Sequence, residues 1–116
     1  MTYEQITDLV SEIAGPLPYC YGAFAGTKAQ PVPSADPGYI VYFFDQSDDV
    51  FADNVNAVKI RNLNIEYYTE YKNFQKEAEI EEVLLRHKIP FTRFEAYVDS
   101  ERCWQIAYES EVIISE

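Results

Sequence analysis

The apolar positions of this chain follow two periods, and each change of period marks an element. Near the start, Tyr3, Ile6, Leu9, Val10 and Ile13 recur at helical spacing. Thr2, with Gln5 three residues on, has the form of a capping box, and Gly15-Pro16 ends the run, so a helix is predicted over 3–14, packed on its own sheet. The segment 39–45 reads YIVYFFD, an unbroken apolar run of the kind found in strands buried on both faces, and is predicted as the middle of the sheet. From 61 onward the period is two. Arg61, Leu63, Ile65, Tyr67 and Thr69 fall on one side of an extended chain; Asn62, Asn64, Glu66 and Tyr68 fall on the other, where the two asparagines predict a polar exposed face.

The helical period then returns. Asn73 is a suitable N-cap, Ile80, Val83, Leu84 and His87 share a stripe, acids come early and Arg86, His87 and Lys88 come late, and Pro90 blocks continuation. This predicts a helix over 74–88. Beyond Pro90, Phe91, Arg93, Glu95 and Tyr97 alternate with Thr92, Phe94, Ala96 and Val98; a polar turn over 99–102 follows, and Trp104, Ile106, Tyr108, Ser110, Val112 and Ile114 line one face of a last strand. The predicted fold is one α+β domain over 1–116: a mixed or antiparallel sheet of about four or five strands, two helices and a C-terminal β-hairpin.

Two stretches lack either period. Five of the six prolines fall within 16–38, leaving room for a short strand inside 19–25 and an irregular loop over 26–37. The segment 46–54 reads as a polar loop around Val50, Phe51 and Ala52. Loops of such length in a small domain commonly carry function.

Charge narrows the class of partner. There are 20 acidic and nine basic residues, a formal net charge of −11, and the basic residues are scattered along the chain. Such a chain repels phosphate backbones and anionic membrane surfaces, so neither specific nucleic-acid binding nor membrane association is expected. No apolar run approaches the roughly 20 residues of a membrane-spanning helix, and the N-terminus lacks a secretory pattern, which points to the cytoplasm as the place of synthesis. The ten tyrosines suit half-buried sheet faces or a contact surface.

Residue types that carry catalysis are sparse. Cys20 and Cys103 are too few for a disulfide scaffold or a four-cysteine zinc site, and read as reduced small apolar side chains; Cys103 lies on the face of its strand opposite Trp104, toward solvent or a second layer. Asp45, Asp48, Asp49 and Asp53 form the one acidic loop cluster, but their spacing does not match a calcium loop, and a solvated acidic loop is expected. His87 is the sole histidine and already suits a helix C-terminus. No phosphate loop, nucleophile elbow or Cys-His arrangement occurs, so the expectation is a protein without enzyme activity, cofactor or metal.

Several segments carry a resemblance: LPYCYGAFAGTKAQPVPSADPGYIVYFF after the short helix, FADN over 51–54, LNIEYYTEYKNFQKEAEIEEVL over 63–84, and FEAYVDSERCWQIAYESEVII near the end. In order and character these are similar to the small head-tail connector or tail-completion proteins of tailed phages and prophages of Gram-positive bacteria, over nearly the whole length. The sequence departs from that pattern at Arg93-Phe94 and at Cys103-Trp104. The resemblance implies an α+β fold like that of tail-terminator proteins and a role in joining the tail to the head. It also implies a ring of identical subunits, with other connector and tail proteins as partners, first in the host cytoplasm and then in the virion.

A ring subunit offers two different complementary surfaces. The irregular loops are the candidates: Lys28, Gln30, Pro31, Val32 and Pro33 in the first, Asp48, Asp49, Val50 and Phe51 in the second. The alternatives are a small cytosolic ligand-binding protein or enzyme using an aromatic pocket, and a regulatory interaction protein unrelated to phage. A deep tyrosine pocket with a buried carboxylate or His87 would favour the pocket reading.

Overall fold

The computed structural model describes residues 1–47, 49–52 and 55–115. The elements are α1 (Tyr3–Ala14), β1 (Tyr19–Tyr21), β2 (Tyr39–Ser47), β3 (Val50–Ala52), β4 (Val55–Thr69), α2 (Phe74–Arg86), β5 (Thr92–Val98) and β6 (Cys103–Ile114). The sheet runs β1-β2-β4-β6-β5, with short β3 also paired to β4. Among the described residues β1 and β2 pair in parallel and the other four pairs are antiparallel. The fold is therefore α+β with a mixed sheet, two helices and a C-terminal hairpin.

Both helices lie on one sheet face. Rows such as Arg93, Tyr108, Ile65, Tyr42 and Tyr21 cross the strands on that side. Ile6, Leu9, Val10 and Ile13 of α1 and Ile80, Val83 and Leu84 of α2 bury against Ile40, Leu63, Ile65, Tyr67, Ile106, Tyr108 and Val112. Burying each such aliphatic side chain contributes roughly 1.5–3 kcal/mol, which makes this layer the main source of stability.

Local signals set the helix ends. Thr2 Oγ1 accepts from Gln5 N and Gln5 Oε1 accepts from Thr2 N, closing the capping box. Asn73 Oδ1 accepts from Lys76 N at the start of α2. The other end of α2 corrects the expected boundary. The helix stops at Arg86, and Lys88 adopts φ 59°. Lys88 N donates to Leu85 O and Ile89 N to Leu84 O, both at 2.9 Å, and Ile89 is buried. This is a Schellman closure, with a lysine in the left-handed position where glycine is usual and an apolar anchor behind it.

The sheet differs from expectation in three places. Within the segment expected to be a loop, the described residues form strands: β2 runs on to Ser47, and β3 pairs with the start of β4. Register shifts between Phe44 and Ser47, and between Val50 and Phe51, mark bulges that bend this arm. The second difference is that β4, not β2, holds the central position, because the β5–β6 hairpin folds back to place β6 beside it. At 15 residues β4 is also the longest strand, and at about 3.3 Å per residue it accounts for the 49 Å long axis. The radius of gyration, 15.2 Å, exceeds the roughly 13 Å of a compact domain of this length, as a projecting arm requires.

Third, Asn64 is buried on the face expected to be polar and open. Its register neighbours Phe43 and Glu109 flank it on that face, and its Nδ2 donates to Asn62 O at 3.5 Å.

Candidate partner-contact surfaces

The sheet face away from the helices is organised at one end by the proline-rich loop. Gly26 N and Thr27 N donate to Gln30 O, Ala25 N donates to Gln30 Oε1 at 3.0 Å, and Gln30 N donates to Thr27 Oγ1. Gln30 thus closes the tip of the loop, and Glu70 N donates to Ala35 O at 2.7 Å to tie its return limb to the end of β4. Phe24 meets Tyr39 edge-on at 5.6 Å. Val32, Pro33 and Ala35 lie beside Tyr39, Glu101 and Cys103. Of the expected contact residues, Lys28, Gln30, Pro31 and Val32 are exposed and Pro33 is half-buried.

That packing answers the question left by Cys103. Its strand turns it away from the helices, yet it is only 1% exposed, because the loop supplies a second layer. Burial, helped by the charge of Glu101, pushes its thiol above the ordinary value; burial does the same to Cys20. A thiol held protonated in this way is a poor nucleophile.

The second group of expected contacts lies at the opposite end of β2, on the arm. Asp49 Oδ1 accepts from Ile60 N at 3.1 Å and from the Arg61 guanidinium, so its carboxylate pins the arm to β4. Asp48 lies outside the described residues, as do Asp53 and the side chains of Val50 and Phe51. The two loop-derived surfaces are therefore separated by the length of the sheet. Among the described residues, no group of three or more His, Cys, Asp or Glu is placed to hold a metal ion.

Sequence reading missed two arrangements that depend on distant segments meeting. Tyr3, Ile6, Thr7, Tyr21, Tyr42, Phe44, Asp45 and Arg61 line a cleft of about 410 Å³ where α1 meets β1 and β2. The Tyr21 and Tyr42 rings meet edge-on at 5.3 Å, as do Tyr3 and Phe44 at 5.7 Å. The cleft is open, and its carboxylate, Asp45, is exposed. On the other face, Tyr68 donates to Glu66 Oε1, Gln105 Nε2 donates to Glu66 Oε2 and reaches the Tyr68 hydroxyl, each at 2.9 Å, and Tyr68 stacks on Tyr39. Burial first, and then the charge of Glu66, push the Tyr68 hydroxyl far above its ordinary value. Both arrangements are built from aromatic packing and side-chain contacts between distant segments. His87 faces Glu12 across the helix pair, its Nε2 2.8 Å from Glu12 Oε1.

The basic residues are largely turned to internal use. Arg61 serves Asp49, Lys72 and Arg93 serve Glu77 and Glu95, Arg86 serves Glu12, and Lys76 Nζ donates to Ile13 O at 2.7 Å and Ala14 O at 3.2 Å. Exposed acids such as Glu4, Asp8, Glu79, Glu82, Glu109 and Glu111 are left to set the surface potential. No helix of the described residues is long and apolar enough to cross a membrane. No protein-family model matches the chain, and no curated protein matches it.

Proposed function

We propose that this chain is a non-enzymatic phage or prophage virion assembly protein that joins or completes the tail at the head-tail interface. It acts as a subunit of an oligomeric ring, in the host cytoplasm during assembly and afterwards in the virion, and other connector and tail proteins are its neighbours. The resemblance of its segments to connector proteins suggests the role. The observation that carries it furthest is the placement of the Gln30-closed loop and the β3–β4 arm at opposite ends of one sheet. A subunit that closes a ring by rotation uses two different patches, one on each side of the contact. The acidic surface supports the same reading, since a channel lined by such subunits would let DNA pass without gripping it.

The aromatic cleft is what a ligand-binding protein would use. It is open, its carboxylate is exposed and His87 is not among its lining residues, so it lacks the deep, water-excluding character of a small-molecule site.

The test is complementation. Purified chain, shown to be folded by circular dichroism, is added to heads and tails from particles lacking it, and joined particles are counted by electron microscopy. Restored joining supports the proposal; no joining with folded protein overturns it.

A further inference from the structure

Strand β5 ends the sheet on one side, and no strand or backbone hydrogen bond among the described residues covers its outer edge. Every residue from Thr92 to Tyr97 is exposed, with Phe94 at 51% and Tyr97 at 46%. A seven-residue edge with open N–H and C=O groups is a template for another strand unless something blocks it. Here there is no proline or lysine within the strand and no bulge against β6, whose register with β5 is unbroken from Thr92 to Val98.

Side-chain order decides which strand fits. Arg93 and Glu95 point to the helix face, where they meet Glu77 and Lys72; Thr92, Phe94 and Ala96 point to the other. A copy of β5 lying antiparallel must keep each face on its own side, so a two-fold axis passes through a residue facing itself. An axis at Arg93 sets two guanidinium groups opposite each other, and an axis at Glu95 sets two carboxylates opposite each other; like charges directly opposed destabilise a pair. An axis at Phe94 behaves differently. It places Phe94 on Phe94 of the second copy, Arg93 on Glu95 and Glu95 on Arg93, Thr92 on Ala96, and Phe91 on Tyr97. Opposite charges then meet on one face, apolar groups meet on the other, and Pro90, which has no N–H to give, falls at the end of the ladder.

The geometry points to a second copy of this chain as the occupant of the β5 edge, in an isologous dimer centred on Phe94 that joins two sheets into one. This contact uses one strand twice. It leaves the loop and the arm free, and so stands or falls separately from the ring proposed above. Its place is the free subunit, where it would cover a strand edge otherwise open to indiscriminate pairing.

The test combines sedimentation velocity with register-specific cross-linking of the full chain. The expected result is a monomer–dimer equilibrium that stops at the dimer as concentration rises. F94C, at an exposed position, is expected to oxidise to a disulfide dimer at least about tenfold faster than A96C. The two copies of position 94 would face each other within the roughly 7 Å that a disulfide spans, whereas the two copies of 96 would lie about 13 Å apart. F94K, which sets two ammonium groups on the axis, is expected to abolish the dimer while leaving the melting temperature within a few degrees of wild type. A monomer at all concentrations, open-ended growth, or equal cross-linking of F94C and A96C would each overturn the proposal.

Discussion

Glu77 is the buried hub of a charge cluster, and removing it tests the packing of α2 on the hairpin. The residue is 3% exposed; Oε2 accepts from Lys72 Nζ at 2.7 Å, and Oε1 accepts from Arg93. A charged hydrogen bond contributes roughly 1.5–3 kcal/mol to stability. The low end applies here, because the Lys72 and Arg93 side chains are 18% and 33% exposed and both keep Glu95 as a partner, at 2.5 and 2.7 Å. Glu77→Ala should therefore cost about 3 kcal/mol. At roughly 2.1 cal/mol/K per residue over 116 residues, that lowers Tm by about 12 °C. Urea unfolding by circular dichroism and scanning calorimetry would measure both quantities. Glu95→Ala, on the outer side of the same cluster, should lower Tm by less than half as much. A Glu77→Ala loss under about 1 kcal/mol, or equal losses for the two variants, would show that the cluster behaves as exposed ion pairs and refute the reasoning.

Three further outcomes follow from the same structure. Lys76→Met removes the ammonium that caps the Ile13 and Ala14 carbonyls at the end of α1 and should cost about 1–2 kcal/mol, readable as a lower urea midpoint; an unchanged midpoint would mean the cap contributes nothing. Glu12 is held below the ordinary 4.5 by hydrogen bonds from His87 and Arg86, and Glu95 by hydrogen bonds from Lys72 and Arg93. Because both carboxylates bind protons less readily folded than unfolded, their contribution is complete above about 4.5 and is lost as pH falls through their lowered folded values. Urea midpoints of a Glu12→Gln/Glu95→Gln variant should accordingly fall less steeply below pH 4.5 than those of wild type, and parallel curves would contradict the assignment. Replacing residues 30–34 with a Gly-Ser linker should raise the rate of Cys103 alkylation at least about tenfold by uncovering the thiol, measured by mass spectrometry on intact protein; an unchanged rate would show that the loop is not its cover.

Elements whose information is local were legible in the sequence. Thr2 with Gln5, Asn73 before Lys76, and the alternation from Trp104 to Ile114 each specify structure through neighbours a few residues away, and each forms as its pattern indicates. The end of α2 was legible only to within a turn, because Lys88 reaches the left-handed region through the burial of Ile89, not through any preference of lysine. The arm was not legible. Residues 46–54 alternate in no period, and the extended form of Ser47 and of Val50–Ala52 comes from pairing with β4, a choice made by the partner strand. The position of β2 failed for a related reason: YIVYFFD states that Ile40, Val41 and Tyr42 are buried on both faces, but not which strands flank them.

The candidate surfaces divide in the same way. The proline-rich loop was identifiable by composition, and the exposure of Lys28, Gln30, Pro31 and Val32 suits a contact role. Its closure by Gln30 is local, through Ala25, Gly26 and Thr27, whereas its cover over Cys103 depends on the folded chain, since it joins residues distant in sequence. Asp49 read as a free loop acid and instead bonds Ile60 and Arg61, which only the bulged register of the arm brings within reach. The tyrosine cleft had a compositional hint in ten tyrosines, but α1, β1 and β2 must meet before it exists.

The most direct measurement of the central claim is where the protein sits in a finished particle. Antibody labelling of purified virions from a lysogen carrying this gene, with quantitative mass spectrometry of the same particles, gives both position and copy number. The account predicts label confined to the head-tail junction and a fixed small number of copies per particle. Absence from purified particles, or label spread along the tail or over the head, would contradict it.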